Sequence, residues 1–366
     1  MSAPIAKPGV MSIKPYVGGE SELDGQEEII KLSSNEGAFG PSPLAQEAYT
    51  KTASELHRYP DGGSTELRRT IGEIHRLNPA QIVCGSGSDE LISLLCNSYT
   101  SEGDEVLFSQ YGFLMYPISA KAAGATPVAA PELNLTADVD ALLQAVTERT
   151  RILFLANPNN PTGTYLPASE VARLRAGLRD DILLVIDAAY AEYVTKDDYT
   201  AGIDLVDAGD NVVMTRTFSK IHGLGGVRLG WAYGPESVID VLNRARGPFN
   251  VNAAALSAGV AAIRDQEFTR HCRDENIRIL NWTYEQLCAL GLDVTTSVGN
   301  FLLVCFADTT DRSAAAADAF LKANGILVRS VASYGLPECL RITIGTEQEM
   351  QRVVDVMNRF MGKNSE

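Results

Sequence analysis

Lys220 lies in the run Thr217-Phe218-Ser219-Lys220-Ile221-His222-Gly223-Leu224-Gly225-Gly226-Val227-Arg228. A lysine amine is a nucleophile only when neutral, and desolvation together with a nearby cation brings its pKa down toward working pH. Thr217, Ser219 and Arg228 bracket this lysine, and the glycines allow close approach of the backbone to a bound group. The pattern points to an amine tuned for covalent chemistry beside a bound phosphate. Taken by itself the run is equally compatible with a solvated loop, because a lone Ser-Lys pair is weak evidence.

Three further runs carry compatible chemistry. Gly85-Ser86-Gly87-Ser88-Asp89-Glu90 joins a strand end to a helix start, where backbone N–H groups form an anion site. Helix capping by Ser88, with Asp89 and Glu90 in the first turn, explains that run about as well. Asn157-Pro158-Asn159-Asn160-Pro161-Thr162-Gly163 is a turn in which Pro161 restrains Asn160 to extended geometry and so aims its amide. The third run is apolar from Ile182 to Ile186 and ends at Asp187, with Tyr190 three residues on. A carboxylate closing a buried strand is costly unless it meets a cation; the alternative is a chance position at the solvent edge. Tyr111, also at a strand end, is placed to stack on a ring or simply to pack.

Positioning these groups requires a sheet. Short apolar runs at 81–84, 105–109, 126–130, 151–156, 182–187 and 212–217 read as strands. Helical patterns at 88–99, 113–123, 139–146 and 168–177 alternate with them. Such alternation predicts an α/β fold with a mostly parallel central sheet and helices on both faces. Ligands of such sheets bind beyond the carboxyl ends of the strands, where each of the motifs above falls. Residues 44–56 and 251–290 are helical in pattern. The final stretch reads strand 300–306, helix 313–323, strands 326–329 and 340–344, and helix 347–361, a smaller C-terminal α/β domain. The expected organisation is an N-terminal arm and substrate-covering segment over 1–43, a large cofactor-binding domain over 44–280 and a small domain over 281–366.

Composition narrows the partners. The chain has 366 residues, 45% of them hydrophobic, and a formal net charge of −15. That balance argues against nucleic acid and anionic membranes, which both attract basic surfaces. No apolar stretch reaches the ~18 residues of a membrane span, and residues 1–9 show no apolar signal core. The six cysteines (Cys84, Cys96, Cys272, Cys288, Cys305 and Cys339) lack Cys-x-x-Cys spacing and read as reduced, mostly buried thiols of a cytoplasmic protein. The four histidines are scattered, so no metal site is expected.

Gathered on one rim, these groups match what pyridoxal 5'-phosphate needs. Ser88, Ser219 and Arg228 would cradle the phosphate, and Lys220 would form the imine. Asp187 would keep the pyridine nitrogen protonated, Tyr190 and Asn160 would hold the phenolate oxygen, and Tyr111 would stack on the ring. With these residues in view, the chain resembles the fold-type I pyridoxal-phosphate aminotransferases, and within them the histidinol-phosphate aminotransferases. The likeness runs nearly end to end. Further markers are Pro15-Tyr16-Val17, Asn35-Glu36 with Gly40-Pro41-Ser42-Pro43, Arg58-Tyr59-Pro60-Asp61, Tyr334-Gly335-Leu336-Pro337 and Leu340-Arg341-Ile342-Thr343-Ile344-Gly345-Thr346.

The resemblance implies further roles. Lys220 would be the Schiff-base lysine and proton shuttle. Ser88 and Asp89 (through their backbone), Thr217, Ser219 and Arg228 would hold the cofactor phosphate. Tyr59 would reach that phosphate from the partner subunit of a homodimer. Arg341 would bind the donor carboxylate, with Arg329 joining it around a substrate phosphate or second carboxylate, and Tyr16 and Asn35 would line the pocket. The implied reaction moves an amino group between L-glutamate/2-oxoglutarate and imidazole acetol phosphate/L-histidinol phosphate. An aromatic amino-acid aminotransferase is the alternative reading, with a phosphoamino-acid decarboxylase and a non-enzymatic cofactor-sensing domain more remote. The sequence departs from the family pattern at Gly37-Ala38, where Asn-Pro is common, and at Gly18-Gly19, where proline usually follows Pro-Tyr-Val. Both departures fall near the covering segment, where substrate breadth is set.

Overall fold

The computed structural model describes residues 4–23, 28–307, 309 and 311–362. Its centre is a seven-stranded sheet. The strands are β1 (Ile82–Gly85), β2 (Glu105–Ser109), β3 (Thr126–Ala130), β4 (Thr150–Ala156), β5 (Leu183–Asp187), β6 (Val212–Thr217) and β7 (Gly230–Tyr233), in the spatial order β1-β7-β6-β5-β4-β2-β3. Every pairing from β6 across to β3 is parallel, and β7 runs antiparallel between β1 and β6. The expected mostly parallel sheet is therefore present, with one reversed strand that the sequence reading did not assign.

Burial on both faces explains the continuous apolar runs. Successive residues of a strand point to opposite faces. Leu153, Leu155, Leu184, Ile186 and Met214 enter one core, while Ile152, Phe154, Leu183, Val185 and Val213 enter the core on the other face. Both clusters are covered by helices, so the middles of the strands are apolar and polar side chains such as Asp187, Thr215 and Thr217 fall toward the strand ends. The polar groups therefore concentrate at the carboxyl rim.

A second, antiparallel sheet contains β8 (Asp293–Thr295), β9 (Phe301–Cys305), β10 (Arg329–Ser330) and β11 (Cys339–Thr343), ordered β8-β9-β11-β10. Leu302, Val304, Leu340 and Ile342 turn to its helix-covered core, so the alternate residues Leu303, Cys339 and Arg341 share the other face. The expected strand at 326–329 is divided. Ile326–Leu327 pairs in parallel with Ile30–Lys31 of the arm, and only Arg329–Ser330 joins β11. The arm is thereby stitched to this sheet, and the Leu32 carbonyl accepts from the Thr343 N–H.

Several local expectations shift. The helix expected at 44–56 spans Pro43–Lys51, capped by the Ser42 side chain, and tightens into a 3-10 turn at Thr52–Glu55. The helical tract at 251–290 breaks at Asp265 into Ala253–Arg264 and Gln266–Ala289. Helices Thr65–His75 and Glu236–Ala245 were not anticipated. The expectation of six reduced thiols is corrected: Cys305 and Cys339 are joined as a disulfide. They are register partners on β9 and β11, a non-local pairing that brings their side chains together and that spacing along the chain does not reveal. Among the described residues no helix is long and apolar enough to cross a membrane.

Candidate active site

The carboxyl ends of β1, β4, β5 and β6 open on a cavity of about 250 Å³ that is closed from the far side by the arm and by β10 and β11. Lys220, three residues past the end of β6, sits in it. Its Nζ donates to the Ser34 carbonyl at 3.2 Å and lies 5.7 Å from the centre of the Tyr190 ring. The amine pKa is lowered to about 8, first by burial and then by the nearby Arg341 guanidinium, while Arg228 contributes less and Asp89 and Glu36 oppose the shift. The cation suspected of activating Lys220 was Arg228; the stronger influence is Arg341, on another sheet.

Asp187 ends β5 and is buried. Its Oδ2 accepts from the Tyr116 hydroxyl at 2.8 Å and its Oδ1 from Thr215 Oγ1 at 3.3 Å. Burial raises its pKa to about 6; the hydrogen bonds from Tyr116 and Thr215 work against that rise and Asp89 adds to it. Tyr116 and Thr215 were not singled out in the sequence. An aromatic residue on the helix after β2 and a threonine two before Thr217 carry no local signal of such a partnership.

The phosphate-type cradle forms where the Ser88–Tyr99 helix begins beside the Ser219–Arg228 loop. Gly87 caps that helix at φ 87°, and a side chain there would strike the Arg228 guanidinium. A side chain at Gly230 would strike the Ser88 backbone nitrogen. Arg228 Nη2 pairs with Asp89 Oδ2 at 3.1 Å, and its Nη1 reaches Ser219 Oγ at 3.4 Å. Thr217 Oγ1 accepts from the Ser219 N–H at 3.1 Å, fixing the turn. A helix N-terminus, two hydroxyls and a guanidinium thus converge on one end of the cavity, the donor set that binds a phosphate dianion.

At the opposite end, Asn35 enters with φ 54° and is held on three sides. Its Nδ2 donates to the Tyr190 hydroxyl at 2.9 Å, Thr343 Oγ1 bonds both its backbone N–H and its Oδ1, and Asn300 Nδ2 holds its carbonyl. Burial raises the Tyr190 pKa, partly offset by Arg341 and the Asn35 bond. Arg341 is buried, with Nη1 on Asn160 Oδ1 at 2.5 Å and Nη2 on the Ser33 carbonyl at 2.9 Å. These acceptors are neutral, and its buried Nε has no hydrogen-bond partner among the described residues. A buried guanidinium in that condition is a ready receptor for a carboxylate. Arg329 is half-buried, donates to the Val17 carbonyl at 2.7 Å and lies 5.9 Å from the Tyr16 ring. Tyr16, Gly18 and Arg329 also line an outer cavity of about 630 Å³ under the arm.

Two expected residues lie elsewhere. Tyr111 is not in the cavity wall. The chain turns at Gly112, whose N–H returns to the Ser109 carbonyl, and Tyr111 packs with Leu303, Val331, Tyr334 and Leu336. Phe113, two residues on, takes the wall position. Tyr59 is 83% exposed and stacked on Phe249 at 4.7 Å, outside this chain's own cavity. The remaining sequence-derived residues (Ser88, Asp89, Asn160, Asp187, Tyr190, Thr217, Ser219, Arg228, Lys220, Arg341, Arg329, Tyr16 and Asn35) all line the one cavity. No cluster of metal-ligating side chains occurs among the described residues.

Comparison with known proteins shows the family. The family model for aminotransferase class I and II matches residues 27–357. The histidinol-phosphate aminotransferase of Paramagnetospirillum magneticum is 61% identical over 362 residues, 99% of this chain and 100% of that protein. That of Rhodospirillum rubrum is 59% identical over 358 residues, 98% and 97% of the two chains. The crystal structure of histidinol-phosphate aminotransferase from Sinorhizobium meliloti in complex with pyridoxal-5'-phosphate superposes with a TM-score of 0.89 at 26% identity, covering 99% of this chain and 98% of that one. The chain belongs to the aminotransferase class I and II family.

Proposed function

We propose that this chain uses pyridoxal 5'-phosphate to move an amino group between L-glutamate and imidazole acetol phosphate, giving 2-oxoglutarate and L-histidinol phosphate. One observation carries the reading: Lys220, Asp187 and Arg341, drawn from two sheets, meet in a single cavity with a phosphate cradle at one end. The residues present fit the cofactor. Ser88, Asp89, Thr217, Ser219 and Arg228 would hold its phosphate, Asp187 its pyridine nitrogen, Asn160 and Tyr190 its phenolate oxygen, and Lys220 would hold it covalently. When bound, the group supplies an electron sink for the carbanion left at the substrate's Cα.

The protein's own contribution is binding and proton transfer. Lys220 moves the Cα proton, and a pKa near 8 leaves part of the population neutral at working pH. Arg341 takes the α-carboxylate of the donor. Arg329, together with Tyr16, takes the donor's second carboxylate or the acceptor's phosphate, since a guanidinium fork suits either anion. Phe113 takes the ring-stacking role first assigned to Tyr111. The exposed apolar residues Leu56, Tyr59 and Phe249 support a homodimer in which Tyr59 completes the partner's phosphate site. The 44–280 span then acts as the cofactor domain and 281–366 as the domain delivering the substrate arginines, and the reading places the enzyme in the cytoplasm.

A panel of single half-reactions, followed by the cofactor's absorbance change, tests this. Histidinol phosphate should exceed phenylalanine and tyrosine in kcat/KM by about 100-fold or more, as expected for a site built to pair a polar group. The reverse order would identify an aromatic amino-acid aminotransferase.

A further inference from the structure

We propose that Tyr116 is a positioning residue for this reaction, acting through Asp187. The inference rests on the reading that the cavity holds pyridoxal phosphate with Asp187 at the pyridine nitrogen. Tyr116 does not line the cavity; it stands behind the wall, in the first turn of the Met115–Ala123 helix, and is 1% exposed. Its ring is held by aromatic neighbours. It stacks on Phe154 of β4 at 4.6 Å and 5° between planes, and meets Phe113 edge-on at 5.9 Å and 90°. Phe108 of β2 tilts against it at 6.1 Å. Packing of this kind leaves the phenol little freedom. The hydroxyl can point only where Asp187 Oδ2 lies, 2.8 Å away.

A carboxylate at a strand end still rotates about its last bond. Thr215 holds one oxygen of Asp187 through a 3.3 Å contact, and Tyr116 holds the other through the shorter one. Two donors on the two oxygens fix the plane of the carboxylate. A hydrogen bond given to the ionised form also favours that form. Only an ionised, correctly turned Asp187 can hold a proton on the pyridine nitrogen, so the phenol acts on the cofactor through Asp187 without lining the cavity itself. Tyr116 also braces Phe113, so one ring supports the residues at both the edge and the face of the bound cofactor.

The test uses Tyr116→Phe, which keeps every ring contact and removes one hydroxyl. The dissociation constant for pyridoxal phosphate should rise about tenfold or more, the weight of a hydrogen bond to a charged group. The absorbance band of the bound cofactor should shift, and kcat should fall by about the same factor while KM for the amino donor, set by Arg341 and Arg329, changes little. Thr215→Val, which removes the longer contact, should give the same signature more weakly. The decisive arm is the Asp187→Asn background, where adding Tyr116→Phe should cost nothing further if the phenol acts through the carboxylate. A melting curve of each apoenzyme checks that it is folded. Asp187→Asn with undiminished cofactor affinity and turnover would defeat the reading of the site itself. Asp187→Asn inactive, with Tyr116→Phe like the parent enzyme in dissociation constant, spectrum and kcat, would defeat the role of Tyr116 alone. Additive losses in the double variant would reduce Tyr116 to a packing residue.

Discussion

Arg329 and Arg341 are register partners across the antiparallel β10–β11 pairing, and both reach the same cavity. Placing two cations side by side is unfavourable unless anions come between them. Their surroundings divide the work. Arg341 is buried and its Nε has no hydrogen-bond partner among the described residues, whereas Arg329 is half-buried and holds the arm through the Val17 carbonyl. A fixed guanidinium suits the α-carboxylate of glutamate, and one tied to the arm suits glutamate's second carboxylate or the acceptor's phosphate.

Replacing Arg341 with glutamine should therefore raise KM for glutamate about 10- to 100-fold, the range for a hydrogen bond to a charged group. Cofactor affinity should fall by a smaller factor, because Arg341 makes no bond to the phosphate cradle and meets the residues proposed to hold the cofactor's ring only through Asn160. Arg329→Gln should weaken histidinol phosphate more than an amino acid lacking a second anionic group. Steady-state kinetics on three substrates decide the matter. Equal losses for all of them in Arg329→Gln would contradict the division of roles.

The depressed pKa of Lys220 has a consequence for stability. In the unfolded chain the amine keeps its ordinary value of 10.5, while in the fold it titrates near 8. Between those values the unfolded state binds more protons, so stability rises with pH across that window, and the full penalty applies below it. Lys220→Met should raise the melting temperature of the apoenzyme at pH 7, with the gain shrinking as pH climbs from 8 to 10.5. Asp187 is the mirror case. Its folded pKa near 6 exceeds the ordinary 3.8, so its penalty is absent below 3.8 and complete above 6. Asp187→Asn should likewise stabilise the apoenzyme at pH 7 while abolishing turnover. Calorimetry across pH checks both signs, and a destabilised apoenzyme in both variants would show that neither charge is held at a cost.

The activation of Lys220 also has a kinetic signature. The rate at which apoenzyme captures pyridoxal phosphate should rise with pH with a midpoint near 8. Arg341→Gln should move that midpoint upward, because Arg341 is the largest charge holding the amine down. Arg228→Gln should move it less. Stopped-flow absorbance measures each midpoint, and a larger shift from Arg228→Gln would reverse the ranking.

Much of this site was legible in the sequence because parallel sheets deliver their carboxyl ends to one rim. Once 182–187 and 212–217 are read as buried strands, Asp187 and Lys220 must be neighbours, and the motifs at Ser88 and Asn160 join them. What failed was geometry decided by the turn or by distant pairing. Tyr111 and Phe113 are both aromatic and two residues apart, and only the turn closed by Gly112 and Ser109 chooses Phe113 for the wall. The Cys305–Cys339 bond depends on β9–β11 register, and the hold of Tyr116 on Asp187 spans 71 residues. The sequence pattern contains no trace of such contacts, since each partner alone looks like ordinary core.

Tyr59 carries the last prediction. Its ring stacks on Phe249 at the surface of its own chain and does not line that chain's own cavity. If it completes the partner's phosphate site, Tyr59→Ala and Lys220→Ala are defects of different sites in the same dimer. A heterodimer of the two variants has one site with both defects and one with neither. Mixing the variants under conditions that exchange subunits should then restore roughly a quarter of wild-type activity, since half of the dimers in a two-fold symmetric exchange are mixed and each holds one intact site. The Lys220→Ala parent should show no turnover, and Tyr59→Ala should show weakened cofactor binding. If Tyr59 serves its own chain instead, every site in the mixture carries a defect and activity stays at or below the mean of the two parents.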